Sequence, residues 1–332
     1  MSYHNCVYIH IGLAKTTTSH LQVNIFPKIK NKNLIYNHKI FYEMVDLINL
    51  IDCNKIAFDN VKVKIFKEKI NKFLKENLQK RILFSNESLS THGYGLKNTS
   101  NRLFLLHYFI PSAKIVLIFR EHKSWIISNY KQSIQQGNFQ SFDDFIYFGD
   151  NEVSSINTYE CGILPKLNIK NISYTKLLLL LKKYFGKDNL FIFRYEDFLH
   201  DYKKNIILLL NLTTGIKFSN ETIKSFKVTK TYYRSLSGLS IKIILLMNYI
   251  LRPLVKKMNY NHAIKLFNFN SQINYDCNIL LKCFSWKYIR IIFQNGIDKL
   301  IYLDLNLNNE KKKKLEKYQN FFDKDNYEKL FD

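Results

Sequence analysis

Two stretches of the chain combine residue types that hold anions. The first is Ile9-His-Ile-Gly-Leu-Ala-Lys-Thr-Thr-Thr-Ser-His-Leu-Gln22. A strand that turns through Gly12 into a Thr/Ser-rich helix start offers a phosphate its backbone N–H groups and the hydroxyls of Thr16, Thr17, Thr18 and Ser19, with the helix dipole adding positive potential. Lys15 adds a full charge. The second stretch is Ile115-Val-Leu-Ile-Phe-Arg-Glu-His-Lys-Ser-Trp-Ile-Ile-Ser-Asn-Tyr130. Arg120 leaves the carboxyl end of a strand, where ligands of open α/β sheets gather, and Ser128 follows eight positions later on the next helix. The pair suits one anion, because Arg presents a fork of donors and Ser a neutral one. Read separately, each stretch also has a structural explanation, a capped helix after a strand for the first and an Arg–carboxylate pair for the second. A nucleotide-triphosphate loop would read G-x-x-x-x-G-K-[ST]; here two residues separate Gly12 from Lys15 and no glycine precedes the lysine, which weakens that reading.

The elements that must position these residues are legible as hydrophobic patterns. Residues 6–11 form a β-rich run, and a helical stretch over 18–26 is expected to stop at Pro27. Apolar positions at spacings of three and four predict an amphipathic helix over 61–80, leading into a strand over 81–85. A strand over 114–119 precedes a helix over 123–136, and a helix over 174–185 ending at Gly186 precedes a strand over 190–193. A helix over 198–212 runs up to Gly215. Strands that are apolar nearly throughout and alternate with helices predict an α/β fold, a central parallel sheet flanked by helices in a three-layer sandwich. Beyond residue 216 the alternation fades into basic, aromatic, helical sequence, including 239–258 and a last helix near 309–322. We expect a core domain over 1–215 and a helical extension over 216–332 that packs on it and shapes a second pocket.

Composition narrows the class. The chain has 332 residues, 46% hydrophobic and 15% aromatic, with 10 Gly and 4 Pro, which excludes a disordered or collagen-like chain. A net charge of +23 favours an anionic partner. Most of that charge is lysine, in a chain also rich in Asn, Ile, Tyr and Phe, a bias that an AT-rich genome produces without selection for any partner. Arginine is confined to Arg81, Arg102, Arg120, Arg194, Arg234, Arg252 and Arg290, so each is a candidate for fork-shaped anion binding. Five scattered cysteines with no C-x-x-C pair support neither a disulfide framework nor a zinc site. No leader pattern and no apolar run near 20 residues is visible, and a cytoplasmic location is expected. Basic residues flanking the apolar run over 241–254 allow peripheral contact with an anionic membrane, although core packing is the simpler explanation of that run.

The two anion motifs at this separation resemble PAPS-dependent sulfotransferases, bacterial members in particular, with a P-loop-like fold. The family's 5′-phosphosulfate loop commonly reads K-T-G-T-T-S-L-Q, matched at Lys15, Thr16, Thr18, Leu21 and Gln22, with Thr17 in place of the family glycine. The family's 3′-phosphate motif, R-x-P with a serine eight residues after the arginine, is matched at Arg120 and Ser128, with His122 in place of proline. The stretch Phe193-Arg-Tyr-Glu-Asp-Phe198 is similar to the family's Y-E-D element, whose tyrosine, here Tyr195, lies near the nucleotide. The segment over 321–330 is similar to the family's C-terminal helix.

The resemblance implies transfer of a sulfuryl group from PAPS to an acceptor hydroxyl or amine, releasing 3′,5′-ADP, with no metal required. It places Gly12, Lys15, Thr16, Thr17, Thr18, Ser19, Arg120, Ser128, Tyr195 and Arg234 around the donor, although a surface salt bridge serves Arg234 equally well. Lys15 would stabilise the charge that develops on the leaving oxygen. The acceptor must lose a proton, so a base is needed: Glu87, just past the strand over 81–85, matches glycan-modifying relatives, and His92 matches the cytosolic small-molecule ones. The implied acceptor is a carbohydrate or glycolipid, ahead of a small phenol or peptide. Two other readings remain: a P-loop kinase or nucleotide hydrolase, for which magnesium ligands are not visible, and a non-catalytic module for acidic glycan or nucleic acid, which charge alone would support. No specific nucleic-acid partner is expected.

Overall fold

A computed structural model describes residues 6–53, 60–90, 99–135, 140–148, 167–226, 245, 311–325, 327, 330 and 331. The chain opens with β1 (Val7–His10), then α1 (Thr18–His20), β2 (Leu34–Tyr36), α2 (Lys39–Cys53), α3 (Asn60–Glu76) and β3 (Arg81–Ser85). It continues through α4 (Thr99–Phe109), β4 (Lys114–Phe119), α5 (His122–Gln135), α6 (Phe142–Phe145), β5 (Ile146–Tyr147) and β6 (Leu167–Asn168). Then follow α7 (Tyr174–Phe185), β7 (Leu190–Arg194), α8 (Tyr195–His200), α9 (Tyr202–Thr214), α10 (Asn220–Ser225) and, far along the chain, α11 (Gln319–Asp325).

Five strands form one sheet in the order β2-β3-β1-β4-β7, every neighbouring pair parallel. The period of two along each strand divides the core in two. Ile9, Ile82, Phe84, Ile115, Leu117 and Phe119 pack toward α2, α3, α4 and α7, while Tyr8, Leu83, Val116 and Ile118 pack toward the turns after α1 and toward α9. Both faces are therefore covered, as the unbroken apolar strands require, and the expected three-layer α/β architecture holds. Because all five strands are parallel, their carboxyl ends open on one edge. That edge carries Gly12 after β1, Glu87 after β3, Arg120 after β4 and Tyr195 after β7.

Local departures from the sequence reading have physical causes. The helix begun at Thr18 continues as a π-helical turn, Leu21–Ile25, and a 3-10 turn, Phe26–Lys28, with Pro27 in the first turn of that last segment rather than after the helix. There the missing proline N–H costs no hydrogen bond. The helix expected over 198–212 is two helices, because the Asp201 carboxylate accepts from Lys204 N and starts α9 afresh. Gly215 ends α9 in the left-handed region, φ 71°, and a Cβ there would lie 2.5 Å from the Arg81 guanidinium. Residues 311–325 return to cover α5, where Leu315 and Phe322 join Trp125, Tyr130 and Ile134 in a third apolar cluster. The helix expected over 239–258 falls almost wholly outside the described residues. No described helix is long and apolar enough to cross a membrane.

Candidate active site

The loop between β1 and α1 is held by its carbonyls. Ser90 Oγ donates to the Ile11 and Gly12 carbonyls at 2.6 and 2.9 Å, and Thr16 and Thr18 both donate to the Leu13 carbonyl, at 2.6 and 3.1 Å. Trp125 Nε1 donates to the Ala14 carbonyl at 2.8 Å, and an Arg120 guanidinium nitrogen to that of Lys15 at 3.0 Å. Five successive carbonyls are thus tied to side chains of the loop itself, α5 and the segments after β3 and β4. The backbone is left-handed at Lys15 (φ 69°) and Thr17 (φ 70°), an alternation of the kind that turns peptide N–H groups into an anion-binding concavity. A Cβ at Gly12 would lie 2.8 Å from His10 Nε2 and 2.9 Å from Thr18 Oγ1, so glycine is the residue that fits here without displacing either side chain.

Thr17 is the outlier. It stands where the resembled loop carries glycine and keeps the left-handed conformation that glycine would adopt freely, without a side-chain cap to the following helix. The hydroxyls of Thr16 and Thr18, expected to face an anion, point inward to Leu13 in this state. Ser19 is half-buried at the helix start.

Lys15 and Glu87 come together across β1 and β3, and their charges act on each other. Burial raises the Glu87 pKa, opposed by the Lys15 charge. Burial lowers the pKa of Lys15; Glu87 opposes that fall and Arg120 adds to it. The turn carrying Glu87 is rigid: Asn86 accepts from Ser88 N and Oγ, and the Ser88 carbonyl accepts from Arg102. Ser90, at its end, is the residue that grips the loop.

Arg120 sits in a shaped slot. Its Nε donates to Ser124 Oγ at 3.0 Å and its guanidinium lies 4.5 Å from the centre of the Tyr195 ring. Ser124, not Ser128, is the serine bonded to Arg120. Ser128 is half-buried one turn further along the same face of α5. Glu121 caps α5 by accepting from Lys123 N and Ser124 N, and its own N–H donates to Glu196, whose other oxygen accepts from Tyr327 at 2.6 Å. The C-terminal segment is thereby fastened beside Arg120. His122 is buried and stacked between Tyr174 at 4.0 Å and Phe322 at 5.3 Å, a packing role that explains an aromatic ring where the resembled motif has proline.

Sequence reasoning missed Ser90 and Ser124 and offered Arg102 as an anion-binding candidate, whereas Arg102 is buried and bonds the Ser88 carbonyl; all three parts depend on which loops meet. Trp125 is buried beside Tyr174 of α7 and holds the loop through Ala14. His92 and Arg234 lie outside the described residues. Among the described residues, no group of three His, Cys, Asp or Glu side chains is placed to hold a metal ion.

No protein-family model matches the chain, and no curated protein matches it in sequence. In structure it is similar to a sulfotransferase from Alicyclobacillus acidocaldarius, at 12% identity over 76% of this chain and 97% of that one, with a TM-score of 0.41. It is also similar to mouse sulfotransferase SULT7A1 complexed with PAP, at 13% identity over 84% of this chain and 89% of that one, with a TM-score of 0.34. Neither likeness is close enough to carry a function across, which leaves the assignment to the residues of this chain.

Proposed function

We propose that the chain is a sulfotransferase that moves a sulfuryl group from PAPS to a hydroxyl or amine of an acceptor, a carbohydrate or glycolipid, and releases 3′,5′-ADP. The observation that carries this reading is the meeting of Lys15, Glu87 and Arg120 at the carboxyl ends of the adjacent strands β1, β3 and β4. Arg120, backed by Tyr195 and Ser124, offers its fork to the 3′-phosphate, with Ser128 on the same helix face. The Lys15 loop, with its carbonyls fastened inward, turns N–H groups toward the 5′-phosphosulfate. The donor supplies an activated sulfuryl group whose bridging oxygen becomes negative as the bond to sulfur breaks.

Lys15 holds a positive charge beside that oxygen and stabilises it most as the charge develops. Burial in the site strengthens the effect, because less water screens it. Glu87 takes the acceptor's proton, and its raised pKa makes it a stronger base than an exposed carboxylate. A triphosphate-using kinase would need magnesium ligands, and the donor set around Lys15 is cationic, with Glu87 its acidic member. The test is turnover with PAPS and a panel of glycan acceptors, following 3′,5′-ADP release. Lys15→Ala should abolish it, and Glu87→Gln should lower it at least a hundredfold while 3′,5′-ADP still binds. Full activity in Glu87→Gln would remove Glu87 as the base.

A further inference from the structure

Beneath the Lys15 loop runs a buried polar chain that none of these roles uses. Gln22 Nε2 lies 3.3 Å from the Ser85 carbonyl and 3.1 Å from Ser85 Oγ. A carbonyl only accepts, so Gln22 turns its NH2 group this way. Ser85 Oγ accepts from Gln22 and lies 2.8 Å from His10 Nδ1, a contact in which either group can donate; we take Ser85 as the donor. An imidazole that accepts at Nδ1 and stays neutral carries its proton on Nε2. His10 does stay neutral, since full burial lowers its pKa to about 4.

That Nε2–H is buried and finds no hydrogen-bond partner among the described residues. Its surroundings show where a partner would come from. The point that a Cβ on Gly12 would occupy lies 2.8 Å from His10 Nε2 and 2.9 Å from Thr18 Oγ1, so both groups border one small space. Thr18 meanwhile gives its proton to the Leu13 carbonyl, which already accepts from Thr16. Leu13 can therefore release Thr18 and remain bonded, whereas the His10 donor is orphaned until Thr18 Oγ1 approaches.

We propose that His10 is a positioning residue for the donor loop: its Nε2–H donates to Thr18 Oγ1 when the loop takes up its anion, freeing the Thr18 hydroxyl proton to turn from Leu13 to an oxygen of the 5′-phosphosulfate. The inference rests on the sulfotransferase reading. No proton is transferred; the chain Gln22, Ser85, His10, Thr18 passes hydrogen-bond direction from a fixed amide to the ligand.

The experiment is calorimetric titration of 3′,5′-ADP and of adenosine 3′-phosphate, which lacks the 5′-phosphate, into wild type, His10→Phe and His10→Gln. Phenylalanine keeps a ring against Phe26, whose ring centre lies 5.9 Å away. His10→Phe should weaken 3′,5′-ADP about tenfold, the scale of one hydrogen bond to a charged system, and leave adenosine 3′-phosphate unchanged. His10→Gln, with an amide donor near the Nε2 position, should recover most of the loss. Adding His10→Phe to Thr18→Val should cost nothing beyond Thr18→Val alone. Nitrogen-15 spectra of the imidazole should show the Nε2–H tautomer with or without nucleotide. Wild type that binds no 3′,5′-ADP overturns the sulfotransferase reading and this inference with it. Wild type that binds, with His10→Phe equal to it or weakened equally for both nucleotides, overturns the inference alone, as does an Nδ1–H tautomer.

Discussion

Replacing Thr17 with glycine tests whether the donor loop is strained by a side chain. Thr17 and Gly215 share one backbone conformation, φ 70°, ψ −1° and φ 71°, ψ 9°, but only Gly215 has the residue that adopts it without cost. A non-glycine residue pays about 1–3 kcal/mol for the left-handed well, and a β-branched one has the least room there. Glycine gives back about 0.5–1 kcal/mol through the added freedom of the unfolded chain. Thr17 caps no helix N–H with its side chain, so little else is lost. The net gain for Thr17→Gly is about 1 kcal/mol, a Tm higher by roughly 1–2 °C for a chain of this length. Thr17→Ala keeps the Cβ and should gain little. Differential scanning calorimetry of both variants, with 3′,5′-ADP affinity measured alongside, decides it. A Tm that falls in Thr17→Gly, or rises equally in Thr17→Ala, would refute the strain.

Two further outcomes concern pH. Glu87 serves as base only when ionised and Lys15 stabilises the leaving oxygen only when protonated. Burial moves their pKa values toward each other, up for Glu87 and down for Lys15, so kcat/KM should rise with pH through a limb above the usual carboxylate range and fall through one below the usual lysine value. Loss of the acidic limb in Glu87→Gln would identify its owner, and a limb unmoved by that change would contradict the assignment. For stability, His10 has a folded pKa of about 4 against an ordinary 6.5. Between those values the unfolded chain binds the extra proton, so stability is full above pH 6.5 and declines as pH falls toward 4, by roughly 3 kcal/mol in all. Urea denaturation at pH 7 and 4.5 should show a smaller decline in His10→Phe than in wild type; equal declines would contradict the buried, neutral imidazole.

The framework was legible where one force dominated. The strand β3 is an apolar run bounded by Arg81 and Ser85, β4 is one that begins at Lys114 and gives way to Arg120, and Gly186 and Gly215 stop α7 and α9 as their positive φ values demand. The helix α2 escaped notice although Ile40, Phe41, Met44, Val45 and Ile48 carry helical spacing. In α4 burial runs through Thr99, Arg102, Leu103, Leu105, Leu106 and Phe109, too broad for a single stripe to announce it. The candidate site was legible as residue types at Lys15 and Arg120, charges placed at strand ends, and at Glu87 through the family resemblance. What holds them was not: the bonds from Trp125 to Ala14, from Ser90 to Ile11 and from Arg120 to Ser124 join loops far apart in the chain, or depend on side-chain direction that spacing does not specify.

The central claim is a nucleotide site defined by its 3′-phosphate, and calorimetric titration of 3′,5′-ADP, with 5′-AMP and ATP plus magnesium as controls, tests it most directly. Wild type should bind 3′,5′-ADP well above either control, and Arg120→Ala should lose about a hundredfold or more, since it removes charge-assisted bonds and the guanidinium stacked on Tyr195. Equal binding of 5′-AMP, tighter binding of ATP with magnesium, or an Arg120→Ala variant indistinguishable from wild type would contradict the account.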